Sequence, residues 1–194
     1  METPKGYCII SQIENYLLHT IEDYFKPQVN EWIAQMEKYV EQQTSRVFIA
    51  DSSASEKIYD GTGKVNLFLD ECISISKLTI DGDVISDSYY YLYPINELPI
   101  TRIKLSSDSS LSFTQDEQNI KVEAKWGYSE VCPSDISFAT VVLVAGIINF
   151  SGEMGGEVKA EKIGDYNITY KDKTAWADFE RAKDIIKKYK KIVL

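Results

Sequence analysis

The chain has one histidine, three cysteines and five prolines in 194 residues, and each shortage removes a class of function. With His19 alone, no Ser-His-Asp or Cys-His set can be built except around that one residue, and a nucleophile needs a base within hydrogen-bond reach. No histidine pair is present to hold zinc, and Cys8, Cys72 and Cys132 are too widely spaced for a paired-cysteine metal or redox motif. Their odd number also excludes a closed disulfide framework. Calcium loops need a run of alternating acidic residues ending in glycine, which is missing. Positive charge is scarce: 21 Lys and Arg stand against 30 Asp and Glu, for a net charge of -9 and a pI near 4.7. Such a chain is poorly suited to wrapping a phosphate backbone. The longest apolar stretch, Val141 to Phe150, is too short to span a bilayer. No basic start followed by an apolar signal core opens the chain. These features together predict a soluble protein of a reducing compartment, with no cofactor and no membrane partner.

What is present is patterning. Ser11-Gln12-Ile13-Glu14 fits a capping box, predicting a short helix to about Leu18. Lys26-Pro27 predicts a second helix start. Val29, Ile33, Met36 and Val40 then form one apolar stripe flanked by Trp32 and Tyr39, ending near Thr44. From Arg46 the period changes. Residues 64–69, 74–80, 89–93, 101–105 and 119–126 read as strands, and Asp81-Gly82 as a two-residue hairpin turn. In the last strand Ile120, Val122, Ala124 and Trp126 share one face. After Pro133 comes a helix apolar nearly all round, which places it centrally in a core. Gly152, Gly155 and Gly156 end it. Residues 162–170 hold a further alternating piece. A final helix spans about 174–192, with Phe179, Ala182, Ile186 and Tyr189 as its stripe. The fold class is α+β: a small helical bundle (1–45 and 128–194) with a β-rich module (46–127) inserted between the second and third long helices.

Several stretches invite a functional reading and have a plainer one. Gly61-Thr62-Gly63-Lys64 contains the Gly-Lys pair of a phosphate loop, but Ile58 and Val65 occupy positions where that loop needs Gly and Ser or Thr. It reads as a turn. The run Tyr89-Tyr90-Tyr91-Leu92-Tyr93 is either a packed or interface strand or a sugar-stacking platform. The lysines of the last helix (Lys183, Lys187, Lys188, Lys190 and Lys191) complement the helix dipole or dock on an acidic protein surface. A catalytic carboxylate pair needs two facing acids with split pKa values, which spacing alone does not identify.

The order of several motifs resembles the head-tail connector proteins of long-tailed bacteriophages, also called adaptor or head-completion proteins. The resemblance covers nearly the whole chain. It begins at Gly6-Tyr7-Cys8 and continues through Val29-Asn30-Glu31-Trp32-Ile33, Glu37-Lys38-Tyr39-Val40 and Thr44-Ser45-Arg46-Val47-Phe48. Tyr59-Asp60-Gly61, Leu67-Phe68-Leu69 and Leu78-Thr79-Ile80-Asp81-Gly82 follow. It ends with Trp126-Gly127-Tyr128-Ser129, Pro133 with Asp135-Ile136, and Glu161 to Tyr170. Here the turn from Ser129 to Pro133 is one residue longer, and the β module larger, than in compact members.

The resemblance implies a structural, non-enzymatic virion protein at the capsid portal vertex, made in the host cytoplasm. It implies self-assembly into a ring of about twelve subunits, bound to a portal protein on one side and a stopper or tail-completion protein on the other. Genome DNA passes through the ring without specific binding, and net acidity suits such a lining. The portal-docking candidates are Lys183, Lys187, Lys188, Tyr189, Lys190 and Lys191. The subunit-interface candidates are Trp126, Tyr128, Asp165, Tyr166, Ile168 and Tyr170, with the 165–170 strand adding to a neighbour's sheet edge. The alternatives left open are a carbohydrate- or receptor-binding module using Tyr89, Tyr91 and Tyr93, and an enzyme with a carboxylate site.

Overall fold

A computed structural model describes residues 3–150, 159–163, 166–170 and 173–191. The chain divides into two compact units: a helical unit of residues Met1–Arg46 and Cys132–Leu194, and a sheet unit of Val47–Val131.

In the helical unit, helix α1 spans Ile10–Leu17 and α2 spans Lys26–Thr44. The first helix is capped two residues before the expected Ser11, at Ile9: the Ile9 N–H donates to Gln12 Oε1 at 2.9 Å, and Ser11 lies inside the helix. Gln12 thus performs the reciprocal half of a capping box whose N-cap carries no side-chain acceptor. Glu14 instead receives the Ile21 N–H at 2.9 Å and ties down the connection that follows. Leu18, with φ 54, closes α1 in the left-handed region. Pro27 opens α2, and Val29, Ile33, Met36 and Val40 are all buried.

Helix α3 (Ser134–Phe150) is the apolar one. Ile136, Leu143, Val144 and Ile147 are buried together with Val141, Val142 and Ile148 on other sides. It is covered from several directions, by α1, α2, strand β8 (Tyr166–Tyr170) and α4 (Lys173–Lys188). That explains an apolar circumference: each such aliphatic side chain contributes about 1.5–3 kcal/mol on full burial. The glycines placed at its end, Gly152, Gly155 and Gly156, lie outside the described residues. Strand β8 pairs antiparallel with β7 (Lys159–Ile163), so the alternating piece is a two-stranded hairpin. On α4, Phe179, Ala182 and Ile186 are buried. The helix ends at Lys188, earlier than its sequence suggests, because Tyr189 and Lys190 tighten the last turn. The Lys191 N–H donates to the Thr44 carbonyl at 2.8 Å.

Three polar side chains are buried among the described residues of this unit, Glu37, Thr44 and Thr140, and Glu37 is the charged one. Glu37 lies four residues after Ile33, on the buried face of α2, and is 2% exposed. Its Oε1 accepts the N–H groups of Gly6 and Tyr7 at 2.9 and 2.7 Å, and its Oε2 accepts that of Lys5 at 2.6 Å. Neighbouring Glu41 takes the Tyr7 hydroxyl and the Lys5 ammonium. The Gly6-Tyr7-Cys8 and Glu37-Lys38-Tyr39-Val40 motifs, distant in sequence, thus form one clasp.

In the sheet unit the named strands all pair antiparallel, and an isolated parallel bridge joins Ile49 to Ser129. The order is β1-β6-β2-β5-β4, with β3 pairing the end of β2. The strands are β1 Ser55–Tyr59, β2 Asn66–Ile80, β3 Asp83–Ile85, β4 Tyr90–Tyr93, β5 Ile100–Leu105 and β6 Ile120–Trp126. The two expected strands at 64–69 and 74–80 are one long strand, β2. It keeps running because its partner on one side changes from β5 to β3 while β6 pairs along its second half. Strand β1 was not expected, since its serine-rich approach reads as loop. The Asp81-Gly82 turn is a two-residue hairpin: Ile80 pairs Asp83, and both turn residues have positive φ, 52 and 91. One face of the sheet carries the core, including Leu67, Leu78, Ile103, Leu105, Ile120 and Val122.

Candidate functional site

Reactive chemistry has no evident seat in the described residues. Burial pushes the thiols of Cys8, Cys72 and Cys132 up to about 12, with Glu37 adding to the rise at Cys8 and Cys132. A protonated thiol is a poor nucleophile. His19 is exposed just past the end of α1. Among the described residues no group of three or more His, Cys, Asp and Glu side chains could hold a metal ion, and no helix is long and apolar enough to cross a membrane. The surfaces are therefore the place to look for function.

The lysine-rich end of α4 separates into two groups. Lys187, Lys188 and Lys190 are exposed. Lys183 is half-buried beside Glu180 at 3.4 Å, with its ammonium 5.3 Å from the Phe179 ring centroid. Tyr189 is tied into the fold at both ends: its hydroxyl donates to Asp135 Oδ1 at 3.0 Å and its carbonyl accepts Arg46 Nε at 2.6 Å. A groove of about 340 Å3 runs between α2 and α4, with Tyr39 and Gln43 on one wall and Lys183, Lys187 and Lys190 on the other. Of the exposed lysines, Lys187 and Lys190 line this groove, together with Glu180 and Asp184.

Trp126 and Tyr128 lie on either side of a tight joint. Trp126 is 5% exposed and its indole N–H donates to the Ser55 carbonyl at 2.8 Å. Its ring packs against Tyr59 and carries the Lys57 ammonium 4.5 Å from its centroid. In the single chain Trp126 is thus a core residue at the sheet's end. Tyr128 is half-buried, packs on Phe48, and donates its N–H to the Val47 carbonyl at 2.8 Å. Between them Gly127 has φ 142, and a Cβ there would sit 2.4 Å from Ala50 Cα. Tyr166, Ile168 and Tyr170 belong to β8, the strand of the small hairpin that packs on α3, while Asp165 lies outside the described residues.

The tyrosine run is split by the edge of the sheet. Tyr89 (49% exposed) ends a short 3-10 turn, and β4 follows as an edge strand. Tyr90 and Leu92 pack on the core, whereas Tyr91 is 56% exposed. The structure adds three residues that sequence reading passed over. Phe68 is 72% exposed, and it pairs Arg102, which pairs Tyr93. Lys104, between Asn66 and Tyr91, is also exposed. The signal was present in the alternation: Leu67 and Leu69 point inward, so Phe68 points outward, and Ile103 and Leu105 do the same for Arg102 and Lys104.

No protein-family model matches this chain, and no curated protein matches it. Solved structures do. A chain in the neck of an empty GTA particle computed with C6 symmetry is similar with TM-score 0.60 at 10% identity, covering 100% of this chain and 94% of that one. A chain in the virion of a native gene transfer agent (GTA) particle gives 0.57 at 11% identity, with the same coverage. A chain in the neck of a native GTA particle computed with C12 symmetry gives 0.52 at 9% identity over 95% and 89%. The α+β fold is shared over essentially the full length of both chains.

Proposed function

We propose that this chain is a structural neck protein of a phage-like particle: a connector that forms a ring between portal and stopper or tail and extends the DNA channel. The observation that carries the reading is the full-length fold match to chains of GTA particles, two of them neck structures computed with rotational symmetry. The motif resemblance also supports it: Gly6-Tyr7 meets Glu37 inside the helical unit, and Trp126-Gly127-Tyr128 meets Val47-Phe48 inside the sheet unit. A ring of identical subunits needs one patch on each subunit to meet a different patch on the next, and the β7–β8 hairpin remains the proposed supplier of one such contact, with Tyr128 a separate candidate.

The test is an early stop codon in the gene within its phage, with lysates imaged by negative stain. Packaged heads and finished tails that never join are the expected result; normal joined particles would overturn the reading. The proposed portal-docking element is the lysine-rich end of α4 and the residues that follow it. Changing Lys187, Lys188, Lys190 and Lys191 to Glu together should weaken binding to the portal at least about tenfold in low salt, where charge pairing is least screened. Unchanged binding in low salt would remove the end of α4 from the portal contact.

A further inference from the structure

The outer face of the sheet unit is uneven in a way that the core does not require. Near the start of β2, two cross-strand rows lie side by side: Phe68, Arg102 and Tyr93, then Asn66, Lys104 and Tyr91. Directly opposed residues point to the same face, so these rows make one surface. It holds three aromatic rings and two cations, with the Arg102 guanidinium 4.4 Å from the Tyr93 ring centroid. Among the described residues neither Arg102 nor Lys104 has an ion-pair partner. The next carboxylate along β2, Asp70, is already matched to Lys57 at 2.8 Å.

At the other end of β2 the charge is reversed. Asp60, Asp81, Asp83, Asp116 and Glu117 are exposed and gathered by backbone geometry. Asp60 accepts the Gln118 N–H at 2.7 Å, the Gly61 N–H donates to the Asp116 carbonyl at 2.8 Å, and Asn119 Nδ2 donates to Asp81 at 2.8 Å. None of the five has a cationic partner among the described residues; the near lysine, Lys121, is matched to Glu56 at 3.4 Å. Beside them Val84 is 63% exposed.

We propose that the aromatic and cationic face around Phe68, Tyr91, Tyr93, Arg102 and Lys104 receives the acidic end of the sheet of a second copy of this chain. Within one molecule the two patches sit toward opposite ends of β2, a strand bent by register shifts between Phe68 and Cys72, Cys72 and Ser74, and Ile75 and Lys77. Between molecules they make a head-to-tail contact that leaves one patch of each kind free for the next copy, and a constant rotation closes such a chain into a ring. A nucleic-acid strand fits the cations but is opposed by the net charge of -9 and by the carboxylates of the same sheet. Two anionic copies repel at long range. At about 0.15 M salt, however, charges beyond roughly 8 Å are screened and local pairing decides.

The inference rests on the neck reading for its ring, but the contact is tested alone. Self-association of the purified full chain is measured by sedimentation at about 0.15 M salt. Three variants are compared: Arg102→Glu with Lys104→Glu, Asp83→Lys with Glu117→Lys, and all four changes in one chain. Asp83 and Glu117 are chosen because their side chains are exposed and outside the turn's hydrogen bonds. Each double reversal should weaken association about tenfold or more, and the fourfold variant should recover to within about threefold of the unaltered chain. Three results overturn the contact: a chain that stays monomeric to about millimolar, a double reversal without effect, or a fourfold variant as weak as its parents. Oligonucleotide binding without self-association does the same. Unjoined heads and tails in the stop-codon phage alongside any of these would leave the neck reading standing and remove only this contact.

Discussion

Replacing Glu37 by Ala should destabilise the helical unit by about 3 kcal/mol. The estimate follows from the three donors left behind. The Tyr7 N–H is buried and has no other route to water, so its loss alone costs about 1–3 kcal/mol. Those of Lys5 and Gly6 are nearer the surface and recover part of their hydration. The segment they anchor carries Tyr7, whose side chain is 1% exposed and packs in the core. Against a typical total of about 5–15 kcal/mol, this is a large fraction. Glu37→Gln should cost less, because its carbonyl oxygen keeps the Gly6 and Tyr7 bonds while its amide faces the Lys5 N–H donor to donor. Denaturant unfolding followed by far-ultraviolet dichroism reads the order. A Gln variant as damaging as Ala would mean that charge and not hydrogen bonding holds the clasp.

The same residue sets a pH dependence. Burial raises the Glu37 carboxyl above its ordinary range, with the three N–H groups pulling it down less strongly and Glu41 adding to the rise. A group whose folded pKa is raised binds protons more readily in the folded state. Its contribution is therefore fully present below the ordinary glutamate range and declines as pH rises through the raised value. Stability of the wild-type chain should carry this falling component above the ordinary range near 4.3, and Glu37→Gln should lack it. Parallel pH profiles for the two proteins would contradict the assignment.

Gly127→Ala should cost the sheet unit about 3–5 kcal/mol. The backbone has φ 142, which side chains rarely adopt, and the new Cβ would lie 2.4 Å from Ala50 Cα and 2.8 Å from Ala50 N. Those are backbone atoms, so no rotamer change relieves the clash. The Ala50 segment must move away, and with it go the bonds from the Ala50 N–H to the Ser129 carbonyl and from the Asp51 N–H to the Trp126 carbonyl, each 2.9 Å. Gly82→Ala is the control. It also has positive φ, but nothing lies within 4 Å of the added carbon, so the cost should be about 1–2 kcal/mol. Fluorescence in a background with Trp32→Phe and Trp176→Phe reports Trp126 alone: Gly127→Ala should expose the ring at lower denaturant, whereas equal midpoints for the two variants would show that the close approach to Ala50 is not limiting.

Much of the architecture is local in origin and so legible in order along the chain. The α2 stripe, the α3 apolar circumference, the Asp81-Gly82 turn and the strict alternation of β6 are each set by neighbours within a few residues. Propensity, turn geometry and periodicity specify them before any long-range contact forms. The insertion of a β-rich module between the second and third long helices follows from the same switch of period.

What only the tertiary structure decided depends on partners far away in sequence. Strand β2 runs unbroken because β3 and β6 take over where β5 leaves it. Glu37 is buried because Lys5, Gly6 and Tyr7 return to meet it, although a carboxylate in an apolar stripe was a readable warning. Trp126 belongs to the core, and not to an outer surface, because Ser55 offers its indole an acceptor. The opposed charge of the two ends of the sheet was likewise invisible in sequence. It arises from cross-strand register, which brings Phe68, Arg102 and Tyr93 into one row and gathers Asp60, Asp81 and Asp116 at the far end. Register is a property of paired strands, and no single strand carries it.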